Sequence, residues 1–442
     1  MKEHTYKNPK LIENTIETSF LLETDVESGA SPNQGSILGS TTLVAGTTVG
    51  AGILALPAVT LPAGILPSTL LLIGVWFYTL ISALLIAELV LNSTQTEGAT
   101  NVGFIGIVEI YLGKTGGKIA GIAYLFLHYA LLVAYLAEGG EVLLEAISTL
   151  ASRFNLPHTL PGWSGSTIFA LIMGSILCIG RGKFVERVNS IFVGIVVASF
   201  IGLLIIAGEQ VQISNFVYQN WQALPIAVPI MLVALFYHNI VPVVVTQLER
   251  DVKKIRKSII IGSAIPLIMF LAWNAVILGS VDNISIDNVN PLELLRSGSN
   301  GSLLGILISI FSEFAIATSF IGFVYGLLDF FGDLHLFSFN KNTSNQNSRL
   351  SLISLALIPP TGLSLLNPDI FLTALDYAGT YSTSILGSIL PALVSWKQRE
   401  EYKLQQVSPK IGQTLVPGGK ITLIVLILIA SFIILRQFLL II

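Results

Sequence analysis

The chain has 442 residues, 53% of them hydrophobic and only 11% charged, with a mean hydropathy of +0.78; a soluble domain of this length carries about a quarter charged residues. A formal net charge of -3, with the basic residues dispersed in short loops, excludes a nucleic-acid surface. A single cysteine, Cys178, excludes an internal disulfide and a cysteine-based metal site, so the composition is that of a polytopic membrane protein.

Residues 1–36 are polar and acidic, lack the basic-then-apolar pattern of a cleaved signal, and are expected to form a flexible cytoplasmic tail. Apolar runs of about 20 residues predict eleven transmembrane helices, at 37–61, 64–91, 119–148, 165–180, 188–208, 224–247, 258–281, 303–331, 350–366, 369–395 and 421–441. The segment GFIGIVEIYLG (103–113) is too short to span and is expected to be an interfacial or re-entrant helix. With the amino terminus cytoplasmic, 20 of the 23 basic residues fall inside, leaving Arg153, Arg296 and Arg436 outside. One missed helix would reverse every later loop, so this asymmetry supports the count, the orientation and an external carboxyl terminus.

Span 1 contains LVAGTTVGAGILALP (43–57), with Gly46, Gly50, Gly52, Thr47 and Thr48 in seven residues. Each interior glycine costs a helix about 1 kcal/mol relative to alanine, and a freed backbone group in hydrocarbon has no water to turn to. Alone, the Gly46/Gly50 pair reads as close helix packing. Span 6 changes that reading: Phe236, Tyr237, His238 and Asn239 precede Pro242, so this helix is also interrupted. If residues 37–208 and 209–395 are two five-helix repeats of opposite topology, followed by a cytoplasmic loop and an eleventh helix in 396–442, the two breaks are counterparts. Such a pair points to a transporter's central site, where half-helix ends and unwound backbone hold substrate and ion. Span 8 adds adjacent hydroxyls, Thr318 and Ser319, one turn after Ala315, the oxygen chemistry that a small hard cation needs. By itself such a pair bonds its own helix backbone.

The stretches AGTTVGAGILALP (45–57), YALLVAYLAEGGE (129–141), FYHNIVP (236–242), IIGSAIPLIMFLAWNAVILGSVD (260–282), AIATSFIGFVYGLLDF (315–330) and LIPPTGLSLLNPDIFLTALDYAG (357–379) resemble the hydroxy and aromatic amino acid permease family. This family holds the bacterial tyrosine and tryptophan permeases, within the amino acid, polyamine and organocation superfamily. The resemblance covers nearly everything after residue 36 and implies an all-α integral membrane fold, a leucine-transporter-type five-plus-five inverted repeat, and alternating access. By motif position it implies a cation held by the carbonyls of Gly46, Val49 and Ala315 and the hydroxyls of Thr318 and Ser319. It implies substrate amino and carboxylate groups against Thr47, Thr48, Gly50, Ala51 and Gly52, faced by Phe236, Tyr237 and His238. Asn239 and Asp376 stand where the family usually has glycine, Glu138 stands near another such glycine, and Asn239 lies beside the expected pocket.

Among the ionisable residues, His238 sits in a helix break between aromatics and is expected to be functional and a candidate for proton coupling. Glu88 and Glu141 match acids of the family and are candidates for proton relay or for pairing across the bundle; Glu138, Glu145, Glu313 and Asp329 also lie in or at the ends of spans. Tyr129 and Tyr237, with Phe236 and Tyr135, are expected to provide a stacking wall for an aromatic substrate.

The expected function is import of tyrosine, tryptophan or phenylalanine by cation symport across the cytoplasmic membrane, with other neutral or hydroxy amino acids such as serine and threonine as the alternative. The resemblance implies a proton; the residues leave room for sodium, since span 5 carries no lysine to occupy the cation site. No cofactor is expected beyond the co-transported ion, and the expected partners are an amino acid and the lipid bilayer. The rival classes are a membrane channel or enzyme. The five histidines form no HExxH, and GKTGGK (113–118) lacks the glycine spacing of a phosphate-binding loop.

Overall fold

A computed structural model describes residues 36–50, 52–97, 103–154, 161–180, 182–280, 301–333, 346–404 and 414–441. The expected tail (1–35) and Ala51 lie outside the described residues. Ser36 caps α1 (Ile37–Thr48), its side chain accepting the Gly39 N–H at 2.9 Å. Helical bonding ends with the Val49 N–H on the Ala45 carbonyl at 3.1 Å, where Val49 turns extended (φ -77°, ψ 102°). The chain resumes as α2 (Gly52–Thr60), bent 53° from α1. Span 1 is therefore broken at its glycines.

After α3 (Ile65–Glu97) comes α4 (Phe104–Arg153), 50 residues interrupted at Gly113 (φ 73°, ψ -178°), a left-handed conformation that glycine adopts at low cost. A straight helix of that length would reach about 75 Å, far beyond a hydrocarbon core of about 30 Å. Gly113 splits off a short helical arm at 104–112, over the segment expected to be interfacial or re-entrant.

Next are α5 (Trp163–Ile179), α6 (Gly182–Gly208) and α7 (Leu224–Ala234). A 3₁₀ turn, His238–Ile240, follows α7 and leads into α8 (Val241–Gln247). Pro242 explains the gap: it has no N–H to continue the ladder and its ring would strike the carbonyl one turn back, but at the start of a helix neither matters. The remaining helices are α9 (Val252–Ser280), α10 (Gly301–Asp333), α11 (Gln346–Leu366), α12 (Phe371–Tyr377), α13 (Leu390–Leu404) and α14 (Gly419–Ile441). Between α12 and α13 the chain widens into two π-helical stretches, Ala378–Thr383 and Ile385–Ile389. Among the described residues, seven helices are long and apolar enough to cross a membrane, eight with the bent α1–α2 pair, and α5 and 350–366 are shorter apolar helices.

Several helices outrun their apolar cores. The basic runs expected as loops begin α6 at Gly182 and α9 at Val252, and α13 continues to Leu404. Lysine and arginine are good helix formers, and Asp251 caps α9 by accepting the Lys253 and Lys254 N–H groups at 2.9 and 3.2 Å.

The helices divide into two packed groups. In one, Gly262 of α9 sits against Val44 and Thr41 of α1. Trp76 of α3 donates to Ser263 of α9 at 3.1 Å, and Asn274 of α9 meets Thr60 at 2.6 Å and Ser68 at 3.2 Å. In the other, Gly140 of α4 abuts the Gly165–Ser166 backbone of α5, Phe192 of α6 meets Phe314 of α10 edge-on at 5.0 Å, and Tyr129 of α4 donates to Leu355 of α11. The outer face of α14 is apolar and exposed at Ile421, Leu428, Phe432 and Leu439, as a lipid-facing helix requires.

Candidate functional site

The two breaks touch. A Cβ on Gly52, the first residue of α2, would lie 2.7 Å from Cα of Ala234, the last residue of α7, so glycine is required there. A Cβ on Gly50 would lie 2.5 Å from Oγ and 3.5 Å from Cβ of Ser319, and 3.9 Å from the Tyr135 hydroxyl. Elements α4 and α10 thus close over the first break while α7 packs beneath it.

One narrow cavity forms at this junction. Its polar side is Thr47, Thr48, Gly50, Gly52 and Ser319; its apolar and aromatic side is Leu127, Leu131 and Tyr135 of α4, Val233, Ala234 and Phe236 at the second break, and Phe323 of α10. The Thr47 and Thr48 hydroxyls each donate back four residues, to Leu43 and Val44 at 2.7 Å, and keep lone pairs for an incoming donor. The arrangement suits a molecule with a charged, hydrogen-bonding end and a large apolar body.

Of the oxygens expected around a cation, Ser319 stands against Gly50, whereas Thr318 donates to the Ala315 carbonyl of its own helix at 3.0 Å. Gly46 faces open space, with nothing within 4 Å of a Cβ placed there, and Val49 is the extended residue of the break.

Other expected residues fall away from the cavity. Tyr129 is turned to α11, its hydroxyl donating to Leu355 at 2.8 Å. Tyr237 and His238 are buried behind Phe236, the His238 ring stacking on both, with centroids 4.8 Å from Phe236 and 5.4 Å from Tyr237. Asn239 is exposed at the second break, and Glu141 is exposed on α4. His128 is buried behind the α4 wall, its Nδ1 2.8 Å from the Tyr124 carbonyl. Glu88 is fully buried and paired across the bundle. Arg399 donates from Nε at 2.7 Å and from a terminal nitrogen at 2.9 Å, and the Leu415 and Val416 N–H groups add bonds at 2.9 and 3.2 Å. Asp376 accepts from Gln437 of α14 at 2.7 Å.

Sequence reasoning missed Leu127, Leu131, Val233, Ala234 and Phe323. Helical spacing carried a signal for three of them: Leu127, Leu131 and Tyr135 lie four apart on α4, and Phe323 follows Ser319 by four on α10.

Residues 33–437 match the Tryptophan/tyrosine permease family. The chain is 32% identical over 395 residues to a tryptophan-specific transport protein of Haemophilus influenzae, covering 85% of this chain and 90% of that one. It is 30% identical over 413 residues to tyrosine-specific transport system 1 of the same organism, covering 90% and 95%. Among solved structures it resembles MhsT in complex with L-phenylalanine, with a TM-score of 0.59 at 16% identity over 93% of this chain and 99% of that one. The last likeness establishes a shared fold. The transport names of the curated relatives set the enzyme alternative aside.

Proposed function

The chain belongs to the tryptophan/tyrosine permease family, and on that premise we propose that it is a secondary active importer of tryptophan, tyrosine or phenylalanine, driven by a cation gradient across the cytoplasmic membrane. The observation that carries this reading is the cavity where the two helix breaks meet, polar on one side and aromatic or aliphatic on the other. A substrate's ammonium and carboxylate groups take the backbone and hydroxyls around Thr47, Thr48, Gly50 and Gly52; its ring takes the wall formed by Leu131, Tyr135, Phe236 and Phe323. The cation sits by Ala315, Thr318 and Ser319, with Gly46 and Val49 completing its oxygens. We read the topology as eleven spans with an inverted repeat, amino terminus inside, and the two packed groups as the bodies that rock in alternating access.

Uptake of labelled tryptophan, tyrosine and serine into proteoliposomes, with proton and sodium gradients imposed separately, tests this for wild type and Thr318→Ala. Accumulation of an aromatic substrate under one gradient and not the other supports the reading and names the ion; sodium dependence lost in Thr318→Ala supports the oxygen site. Accumulation of serine alone overturns the aromatic assignment, and equilibration without accumulation identifies a passive pathway.

A further inference from the structure

The cavity at the junction of the breaks is chemically lopsided. Its hydroxyls gather at one end: Thr47 and Thr48 close α1, Ser319 lies against Gly50, and the Tyr135 hydroxyl, 3.9 Å from a Cβ at Gly50, hydrogen-bonds Ser319. Elsewhere, among the described residues, the walls are Leu127, Leu131, Val233, Ala234, Phe236 and Phe323, whose side chains are hydrocarbon alone. Two histidines adjoin that end, each behind a phenylalanine that lines it. His238 stacks on Phe236 with 22° between the rings, and its Nε2 lies 3.6 Å from a Cβ at Gly387, in the tenth expected span. His128 meets Phe323 edge-on at 5.1 Å, keeps Nδ1 2.8 Å from the Tyr124 carbonyl of its own helix, and sets Nε2 2.7 Å from a Cβ at Gly326 of α10. Neither histidine lines the cavity.

Phenylalanine and tyrosine differ by one hydroxyl, and a hydroxyl moved from water into hydrocarbon surroundings without a partner is costly. Tryptophan gives up a single donor bond and adds the apolar area of a second ring, so it is not set back in the same way. Resting on the transport reading above, we propose that the end of the cavity formed by Leu131, Val233, Phe236 and Phe323 selects the substrate's ring by polarity, carrying phenylalanine and tryptophan in preference to tyrosine. The cavity's own hydroxyls do not answer the phenol, because a substrate whose ammonium and carboxylate groups occupy the first break points its ring away from them. The discrimination is about tenfold or more, the scale on which an apolar pocket rejects an analogue that adds a hydroxyl.

The test is uptake of labelled phenylalanine by the full chain in proteoliposomes, under the imposed gradient that drives it, in competition with unlabelled tyrosine and unlabelled 4-fluorophenylalanine. The fluorine stands where the phenol oxygen would and carries no O–H, so length is nearly held while the hydroxyl is removed. Selection by polarity requires half-inhibition by tyrosine at a concentration about tenfold or more above that of 4-fluorophenylalanine. Concentrations within a few-fold of each other overturn it, and so does failure of phenylalanine to accumulate where tyrosine does. Val233→Thr supplies a second reading: threonine keeps the shape of valine and offers lone pairs to a phenol O–H, so the ratio of the two concentrations should narrow several-fold. The ratio is taken within one variant, so a general loss of folded protein or turnover cancels. A ratio unchanged in both Val233→Thr and Leu131→Thr overturns the placement of the ring at this end. If no aromatic amino acid accumulates under any gradient, the transport reading itself fails; if phenylalanine accumulates and tyrosine competes as well as 4-fluorophenylalanine, only the ring selection fails.

Discussion

At the scale of single residues, Gly50 is a tight position of the cavity whose neighbour can be changed with it. An alanine methyl there would meet the Ser319 hydroxyl at 2.5 Å, and the hydroxyl must swing aside to admit it. Gly50→Ala is expected to lower aromatic uptake about tenfold, equivalent to about 1.4 kcal/mol, while Gly50→Ala with Ser319→Ala should recover the thermal midpoint lost by the single variant. Midpoints in detergent and initial uptake rates check both outcomes. Glu88 belongs to a different kind of site. Its carboxylate is buried and bonded by one guanidinium and two backbone amides. Glu88→Leu alone strands the Arg399 charge and should cost about 3–5 kcal/mol, whereas Glu88→Leu with Arg399→Met should be markedly less damaging. The order of the thermal midpoints decides this. The importance of both residues was legible from sequence, Gly50 as an expensive glycine in a span and Glu88 as a charge within one. Their roles were not, because the partners, Ser319 and Arg399, lie hundreds of residues away.

At the scale of elements, the breaks carry the design. Pro242 favours the second by sequence, since a proline inside a helix removes one hydrogen bond and its ring crowds the carbonyl a turn back, although Pro229 and Pro266 are accommodated within helices. The first comes from glycines, and its position is decided by what packs there, Gly52 on Ala234. The turn joining α8 to α9 stores strain of another sort. Glu249 (φ 50°) and Arg250 (φ 62°) are both left-handed without being glycine, a state that costs about 1–3 kcal/mol per residue. Arg250→Gly is therefore expected to stabilise the protein by about 1 kcal/mol after glycine's own entropic cost is offset, measured as a raised thermal midpoint. No sequence pattern announced this strain, nor the π-helical widening at 378–389, since small and hydroxyl-bearing residues such as those of Ala378–Ile389 are equally at home in an ordinary α-helix.

At the scale of the whole molecule, α1 and α2 pack with α3, α7 and α9, whereas Ser319 belongs to α10 in the group built on α4, α5 and α6. Ser319 Cβ stands 3.5 Å from a Cβ at Gly50, within the span of about 3.5–4.5 Å that a disulfide bridges. If the two groups move against each other during transport, Gly50→Cys with Ser319→Cys, in a Cys178→Ser background, should lose uptake on oxidation and regain a fraction of it on reduction. Equal uptake in both redox states would show that the two groups do not separate at this contact. The single-cysteine variants provide the baseline for the glycine and serine replacements themselves.

The sequence by itself determined that the chain crosses a membrane many times, where two of its helices break, and to which family it belongs. Each of these follows from local quantities: about 20 apolar residues to match a bilayer, glycines and a proline that a helix interior holds only at a cost, and runs of motif residues read in order. Only the tertiary structure decided which side chains face one another across the junction. It placed Phe236 on the cavity and His238 behind it, turned Tyr129 to α11, and brought Leu127, Leu131 and Phe323 to the wall. The reason is rotational. Along a helix each residue turns by about 100°, so adjacent positions of equal chemistry point to different neighbours, and the packing of distant helices selects which of them meets the cavity.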